Sequence, residues 1–445
     1  MTNSDKHMLL GLASFASASA QATAWKHPAS KMGRFPDVEG LQQSAQLAEK
    51  GKFQFLFLGD FPGGIPRTNA EAPQNPPEPI LAIAAMAQHT KNVGFAATAH
   101  TQWHEPFHVA RQFKALDLLT HGRTAWNAVT GSDPQAAALF GTSMPSSEER
   151  YGHASEFVQI VQSFWDSWGE DVYAGADGKE TFADYSKIKR HSLKGQYLEA
   201  AGALPLPPSE QGQPVMFHSG GSPNSIAFAG RFADVYVTEV FTLEEARYQR
   251  EALRKAAVEA GREADDVKFI AGVMPTIAKD KRTALDRHGF FMEPKLRQQI
   301  RYLSMMFGTN FGPEDLDKPI PADIIERATY AGARDPRQGT AIAVAQEGWT
   351  LRDVINHSVV DYHPAVQGTA TDVADHMQKW FEEGGADGFW IMPDLVELDL
   401  VAFVDEVVPI LQQRGLFHED HESNTLRGNL GIRDQQGVDK RILRR

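Results

Sequence analysis

The sequence contains no cysteine among its 445 residues, which excludes disulfides, thiolate metal sites and thiol nucleophiles but leaves the redox compartment open. Positive charge is also scarce. Against 57 Asp and Glu stand 44 Lys and Arg, a formal net charge of -13, with no sustained basic run. That balance argues against nucleic acid or an anionic membrane surface as a main partner. No charge-free stretch is long enough to span a bilayer, and there are no internal repeats or low-complexity segments.

What is present is 42% hydrophobic residues, enough for a large core. Apolar β-rich runs alternate with amphipathic helical runs almost from end to end, the pattern of a parallel sheet wrapped by helices. Strands are predicted at 7–14, 53–58, 92–98, 124–129, 214–218, 234–238, 267–277 and 388–392. Helices are predicted at 38–50, 79–89, 107–120, 148–168, 243–260 and 370–383. Eight such alternations predict a closed α/β barrel of the TIM (β/α)8 type. Residues 169–213 and 280–349 are too long for simple connections, so they read as insertions at the carboxyl ends of the strands, covering the site. The expected division is one barrel over 1–415 and a polar C-terminal extension over 416–445, which either wraps the barrel or meets another subunit.

The N-terminal stretch 8–24 has two readings. Its short apolar run before Ala-Ser-Ala suits a secretory signal, which would fit an exported solute-binding protein. A first barrel strand followed by a small-residue loop fits equally well and agrees with a cytoplasmic enzyme.

Several strands end in groups that can carry chemistry. The segment from His121 to Gly131 reads as a buried strand ending in polar residues, Asn127 and Thr130, where barrels place ligand-facing side chains. Those residues could instead satisfy turn backbone. The strand before Gly59 and Asp60 sets Asp60 at a barrel mouth, unless it serves only to cap the following loop. The strand reaching Thr98 runs on through His100, Thr101, Trp103 and His104, a candidate pocket wall. His100, His104 and His108 repeat every four residues, but Pro106 interrupts a helix across them, so no metal site is expected.

Ser219-Gly220-Gly221-Ser222-Pro223 is a sharper signal. Glycines let backbone amides approach a ligand, while Ser222 and Pro223 suit a helix N-cap and first turn, so the segment reads as a phosphate seat. An ordinary strand-to-helix turn could use the same residues. It follows the fifth predicted strand, whereas phosphate sites in this fold more often follow the seventh or eighth. Ser146 and Glu149 form a capping box at the head of a long helix, which sets Ser147 and Tyr151 one turn apart. Both hydroxyls could reach a phosphate, or Tyr151 could pack in the core.

In this order the segments resemble the luciferase-like flavin monooxygenases, most closely the nitrilotriacetate and dibenzothiophene-sulfone monooxygenase branch. The resemblance covers nearly the whole chain. It rests on Gly122-Arg123-x-x-Trp126-Asn127-x-Val129-Thr130, Glu149-Arg150-Tyr151-x-x-Ala154-x-Glu156-Phe157 and Gln211-Gly212-x-Pro214-Val215 leading into Ser219. Further matches are Asp315-Leu316-Asp317-x-Pro319, the runs from Gly368 to Asp375 and from Gly384 to Phe389, and the run from Val408 to Phe417.

The family implies a TIM barrel that takes reduced FMN from a separate NAD(P)H:flavin reductase and uses dioxygen to oxygenate a small organic substrate at sulfur, nitrogen or carbon. By position, Asp60, Thr98, Thr101 and Asn127 would line the isoalloxazine ring. Ser147, Tyr151, Gly221 and Ser222 would hold the ribityl phosphate. His104 is the candidate proton donor or polariser, because loop histidines titrate near neutral pH. A homodimer or homotetramer is implied. Use of the deazaflavin F420, or a non-catalytic flavin-binding barrel, are the alternatives. The chain departs from the family where relatives carry a histidine pair after the first strand, having Ala20-Gln21 there. It departs again at the phosphate turn, where the usual Gln-Ala-Gly-Ser-Ser reads His218-Ser219-Gly220-Gly221-Ser222.

Overall fold

Short parallel strands with strict in-out alternation build the molecule. The computed structural model describes residues 7–16, 19–66, 68–75, 77–169, 172, 181–330, 335–361 and 363–435. Its strands are β1 Leu9–Ala13, β2 Phe55–Leu58, β3 Gly94–His100, β4 Thr124–Val129, β5 His191–Lys194, β6 Glu199–Gly202, β7 Val215–Ser219, β8 Val235–Thr238, β9 Lys268–Ile277, β10 Ala365–Gly368 and β11 Gly388–Ile391. Eight of them, β1 to β4, β7 to β9 and β11, form a closed parallel ring, sealed where β9 pairs with both β8 and β11. The predicted TIM barrel is therefore the fold, with each predicted strand present and its ends shifted by a few residues.

One strand was not expected. Residues 270–273 of β9 pair with β11, and the next four residues pair with β10, from Met274 opposite Ala365 to Ile277 opposite Gly368. This ninth strand lies above the ring at the carboxyl end of β9. It is four residues long and its first two are only half-buried, so it carries little periodic signal.

Period-two alternation sorts the side chains into two cores. Facing inward, Phe55, Phe57, Ala96, Ala125, Val215, Phe217, Val237 and Ile270 fill the barrel. Facing outward, Leu10, Leu56, Phe95, Ala97, Trp126, Tyr236 and Phe269 meet the surrounding helices. Inside, the Phe55 and Phe217 rings meet edge to face at 5.0 Å, and Phe57 and Trp390 at 5.1 Å.

The base of the barrel is closed by the C-terminal segment. In the short helix Leu426–Asn429, Leu426 joins Leu430 in the inner core, and a Cβ on Gly94 would lie 2.6 Å from Leu426. Arg427 donates to the carbonyls of Gln213 at 3.0 Å and Pro214 at 3.2 Å. Gln211 ties the same end together: its amide donates to Asp117 at 2.7 Å and the Thr124 carbonyl at 3.0 Å, and it accepts from the Arg427 N–H at 3.1 Å. Burial pushes the Asp117 carboxyl up to about 6 and draws nearby Lys114 down to about 8, while Lys114 donates to the Gly212 carbonyl. The described part of the extension packs against the base of its own barrel; residues 436–445 lie outside the described set.

Two insertions lie over the other regions of the chain. The second is longer than the sequence indicated: helices Lys281–Met292, Leu296–Phe307, Ala322–Tyr330, Gln338–Gln346 and Leu351–Asn356 fill the span up to β10, with a core of their own around Phe291, Leu303 and Ile355. In the first, β5 and β6 form an antiparallel hairpin, and Glu156 accepts from the backbone N–H groups of Gln196, Tyr197 and Leu198 beside it. Within that insertion, residues 170–171 and 173–180 lie outside the described residues.

Candidate active site

Alternation places Thr98, Asn127 and Ser219 on the inner face of three adjacent strands, near their carboxyl ends. They form an uncharged chain. The Ser219 hydroxyl donates to Asn127 Oδ1 at 3.1 Å, and Asn127 Nδ2 donates to Thr98 Oγ1 at 2.9 Å. The next inward position on β3 is His100, only 5% exposed. Its Nε2 lies 3.2 Å from the Asp60 carbonyl, which can only accept, so Nε2 carries the proton. The Asp60 carboxylate is 3.5 Å from the same nitrogen, and His100 Nδ1 is buried with no hydrogen-bond partner among the described residues. Across the mouth the wall is apolar, built of Ala13, Met274, Met392, Phe15 and Ala20 above Trp390.

A second feature sits beside this rim, where β7 turns into the helix Pro223–Phe232. Gly220 has φ +155, and a Cβ there would lie 2.3 Å from Ser225 Oγ, so the turn requires glycine. Ser222 caps the helix, accepting from the Ser225 N–H at 3.2 Å. Behind the turn, the Tyr236 and Thr238 hydroxyls donate to the Gly220 carbonyl at 2.6 and 2.7 Å. Ser225 Oγ donates to His218 Nε2 at 2.9 Å, and His218 Nδ1–H donates to the Ala128 carbonyl at 2.6 Å. Burial holds His218 down at about 4, so it is neutral, and pushes the Tyr236 phenol up to about 12.

The front of the turn is open. A Cβ on Gly221 would meet nothing closer than Thr238 Oγ1 at 3.9 Å. A second helix, Ser147–Trp165, brings its N-terminus to the same place: Asn224 Nδ2 donates to Ser147 Oγ at 3.1 Å. Two helix N-termini therefore converge, each with unsatisfied N–H groups and a partial positive charge. Tyr151 stands one turn further along, its ring 6.1 Å from His218 and 5.8 Å from Phe228. Hydroxyls, amides and helix ends, with no Lys or Arg among these residues, fit a phosphate monoester held without a salt bridge.

Two predicted residues stand apart from these groups. Thr101 has no exposed surface, and its hydroxyl lies 3.3 Å from the Val129 carbonyl, behind the rim. His104 donates its Nδ1–H to the His100 carbonyl at 2.9 Å, with the two rings parallel at 6.4 Å; burial lowers its pKa. The sequence reading missed Tyr236 and Thr238, which face outward from β8; polar endings on an apolar strand were the only signal available. Among the described residues no three His, Asp or Glu gather as a metal-ligand set, and no helix is long and apolar enough to cross a membrane.

Where relatives would carry a histidine pair, Gln21 enters a buried network instead. Its Nε2 donates to Asp394 Oδ1 at 2.9 Å, while Thr276 Oγ1 and His288 Nδ1 both reach Asp394 Oδ2 at 2.6 Å. Burial opposes charging His288, yet the Asp394 carboxylate prevails and raises its pKa. Two cavities open near this wall, of about 570 and 320 Å³, and neither is lined by Thr98, Asn127 or Gly221.

A closed parallel barrel with an open glycine turn after its fifth ring strand and a half-polar, half-apolar mouth defines a TIM-barrel protein with its polar groups gathered at the carboxyl ends of the strands. The chain belongs to the luciferase-like monooxygenase family, whose model matches residues 14–388. It is 33% identical to N-acetyl-S-(2-succino)cysteine monooxygenase of Bacillus subtilis (strain 168), covering 97% of this chain and 98% of that one. It is 28% identical to nitrilotriacetate monooxygenase component A of Aminobacter aminovorans, over 96% and 97%. A solved structure of riboflavin lyase with modified FMN and riboflavin matches with a TM-score of 0.75 and 26% identity, over 98% of both chains. The protein is an enzyme of the monooxygenase class.

Proposed function

We propose that this enzyme binds reduced FMN supplied by a separate NAD(P)H:flavin reductase and uses dioxygen to oxygenate a small organic compound at sulfur, nitrogen or carbon. The observation that carries this reading is the convergence of two helix N-termini on the open Gly221 turn, directly beside the Thr98–Asn127–Ser219 chain. Reduced flavin supplies the electrons that activate dioxygen, and the protein has to bind, orient and dry the site.

Gly221, Ser222, Ser147 and Tyr151 hold the phosphate. Because the seat has no charge-assisted hydrogen bond from a cation, binding is modest and the flavin can exchange with its reductase. Thr98, Asn127 and Asp60 face the ring. His100, through its Nε2–H to the Asp60 carbonyl, holds the loop after β2 at the same rim. His104 acts through His100, as a positioning residue that fixes its backbone carbonyl. The Met274, Met392 and Phe15 wall excludes water on the opposite side. Thr101 supports the rim from behind. The enzyme is proposed to work in the cytoplasm as a homodimer or homotetramer.

The test couples the protein to a generic flavin reductase with NADH, FMN and isotopically heavy dioxygen, and screens sulfones, sulfonates, aminopolycarboxylates and alkanes. The expected result is a product carrying one heavy oxygen atom. Hydrogen peroxide as the sole oxygen product across the whole panel contradicts the proposal.

A further inference from the structure

The smaller cavity, of about 320 Å³, falls within the range of about 300–1,000 Å³ typical of small-molecule sites. It opens between the loop after β8, the segment leading into β10 and the helices Gln338–Gln346 and Ala370–Glu382. This cavity adjoins the barrel mouth. Ala365 lines it and also packs on the mouth wall, while His363 lines it and reaches into the barrel. Gly272, two residues past inward-facing Ile270, pairs with Trp390, and a Cβ there would strike the His363 ring. The imidazole therefore takes the place of an inward side chain. It meets the Trp390 ring edge to face at 5.5 Å.

The free polar atoms of this cavity are acceptors. Its one cation, Arg337, is spent: Nε and Nη2 donate to the two oxygens of Asp335 at 2.8 and 2.7 Å, and Nη1 donates to the Val360 carbonyl. Asp361 is half-buried and makes no ion pair or side-chain hydrogen bond among the described residues; its Oδ2 is buried, so Oδ1 is the oxygen that reaches open surface. His363 is only 5% exposed, with Nδ1 buried over Gly272, and its equally unpartnered Nε2 reaches open surface. Half-buried His376 has neither nitrogen buried and neither partnered among the described residues. His357 is turned away, donating Nδ1–H to the Asp353 carbonyl at 2.7 Å. Burial holds all three imidazoles down at about 4, so near neutral pH they add no positive charge. Leu243 and Pro364 supply an apolar surface beside these groups.

We propose that this side pocket takes the ammonium end of the substrate, and hence that the enzyme acts on an organic amine whose hydrocarbon part lies along the mouth wall. The proposal rests on the oxygenase reading above for the word substrate, but the binding site stands on its own. One uncompensated carboxylate and two neutral imidazoles match the single charge and three donors of an ammonium group. A carboxylate or phosphate would meet an unpaired acid and no free cation.

The test is a titration of the flavin-free, full-length protein at neutral pH with n-butylammonium, uncharged 1-butanol and butyrate, followed by ligand-observed NMR, which reads weak binding. Butylammonium is expected to bind roughly tenfold or more tightly than either of the others. Asp361→Asn keeps the shape of the side chain and removes its charge, and is expected to weaken butylammonium roughly tenfold or more while leaving 1-butanol unchanged. A melting curve shows whether that variant is folded. His376→Leu removes the acceptors at a half-buried position and is expected to weaken butylammonium severalfold, which keeps the test open should Asp361→Asn fail to fold. Absence of butylammonium binding, equal binding of butyrate or 1-butanol, or unchanged affinity in either folded variant overturns the proposal. If butylammonium binds as expected but only compounds without an amine are oxygenated, the substrate assignment is overturned. If nothing is oxygenated, the oxygenase reading fails and the ammonium site survives.

Discussion

Asn127 commits both ends of its amide inside the protein, accepting from Ser219 and donating to Thr98, so one residue sets the spacing of three strands at the rim. Asn127→Ala leaves two hydroxyls without that partner, at a cost of about 1–3 kcal/mol. Reduced-FMN affinity should fall roughly tenfold as the rim loses its donor, a change of about 1.4 kcal/mol. Fluorescence titration and a thermal melt measure the two effects; unchanged affinity removes Asn127 from the site.

His218 makes a second prediction at this scale. Its folded pKa is about 4 because of burial, against about 6.5 in an unfolded chain. Between those values the unfolded chain binds more protons, so this contribution to stability is complete above about pH 6.5 and is lost as pH falls toward 4. The share at stake is on the order of 3 kcal/mol at the acid end. Buried His357 and His363 and half-buried His376 add the same sign, while Asp117, raised to about 6, has the opposite one. Comparing denaturation curves of the wild type and His218→Gln across this window isolates the one group; equal slopes contradict the assignment. Neither its neutrality nor its partners could be read from the sequence, because they depend on Ala128 and Ser225 meeting it from a neighbouring strand and helix.

Helix starts were legible because caps are local. Ser146 and Glu149 satisfy each other's backbone groups as the spacing predicted, and Ser146→Ala should cost about 1 kcal/mol in chemical denaturation. The Ser219 to Pro223 turn was legible for the same reason. Gly220→Ala tests it: a Cβ would strike Ser225 Oγ, so the turn must shift, lowering the melting temperature as well as flavin affinity. A normal melt with normal affinity would show that the turn tolerates a side chain there.

Elements fixed only by long-range pairing stayed hidden. β10 exists because β9 outruns the ring and needs a partner for its last four residues. Several of the segments that carried the family resemblance turn out to hold the barrel together away from the rim. Arg123 donates to the Val93 carbonyl at 2.7 Å and Thr90 Oγ1 at 2.9 Å, and Gln211 ties Asp117 to Arg427. Short motifs do not say which end of a barrel they serve.

For the molecule as a whole, the two ends of the barrel do different work. The carboxyl end holds the rim, the turn and the cavities, while the amino end is sealed by a segment nearly at the chain's end. Leu426 is fully buried there, and Leu426→Ala should cost about 2–5 kcal/mol with flavin affinity unchanged in the protein that remains folded. Thermal unfolding followed by titration separates these effects. Eight alternating segments announced the closed ring, but charge and composition said nothing of the plug, whose polar residues resemble any solvated tail until Arg427 is seen inside.

The central claim is that an open, uncharged turn between two helix ends seats the flavin. Gly221 tests it most directly, since a methyl group there meets no protein atom closer than 3.9 Å and leaves the fold untouched. An anaerobic titration of reduced FMN into wild-type and Gly221→Ala protein should show equal melting temperatures and a dissociation constant raised roughly tenfold or more in the variant, about 1.4 kcal/mol. Equal dissociation constants in the two proteins would contradict the account.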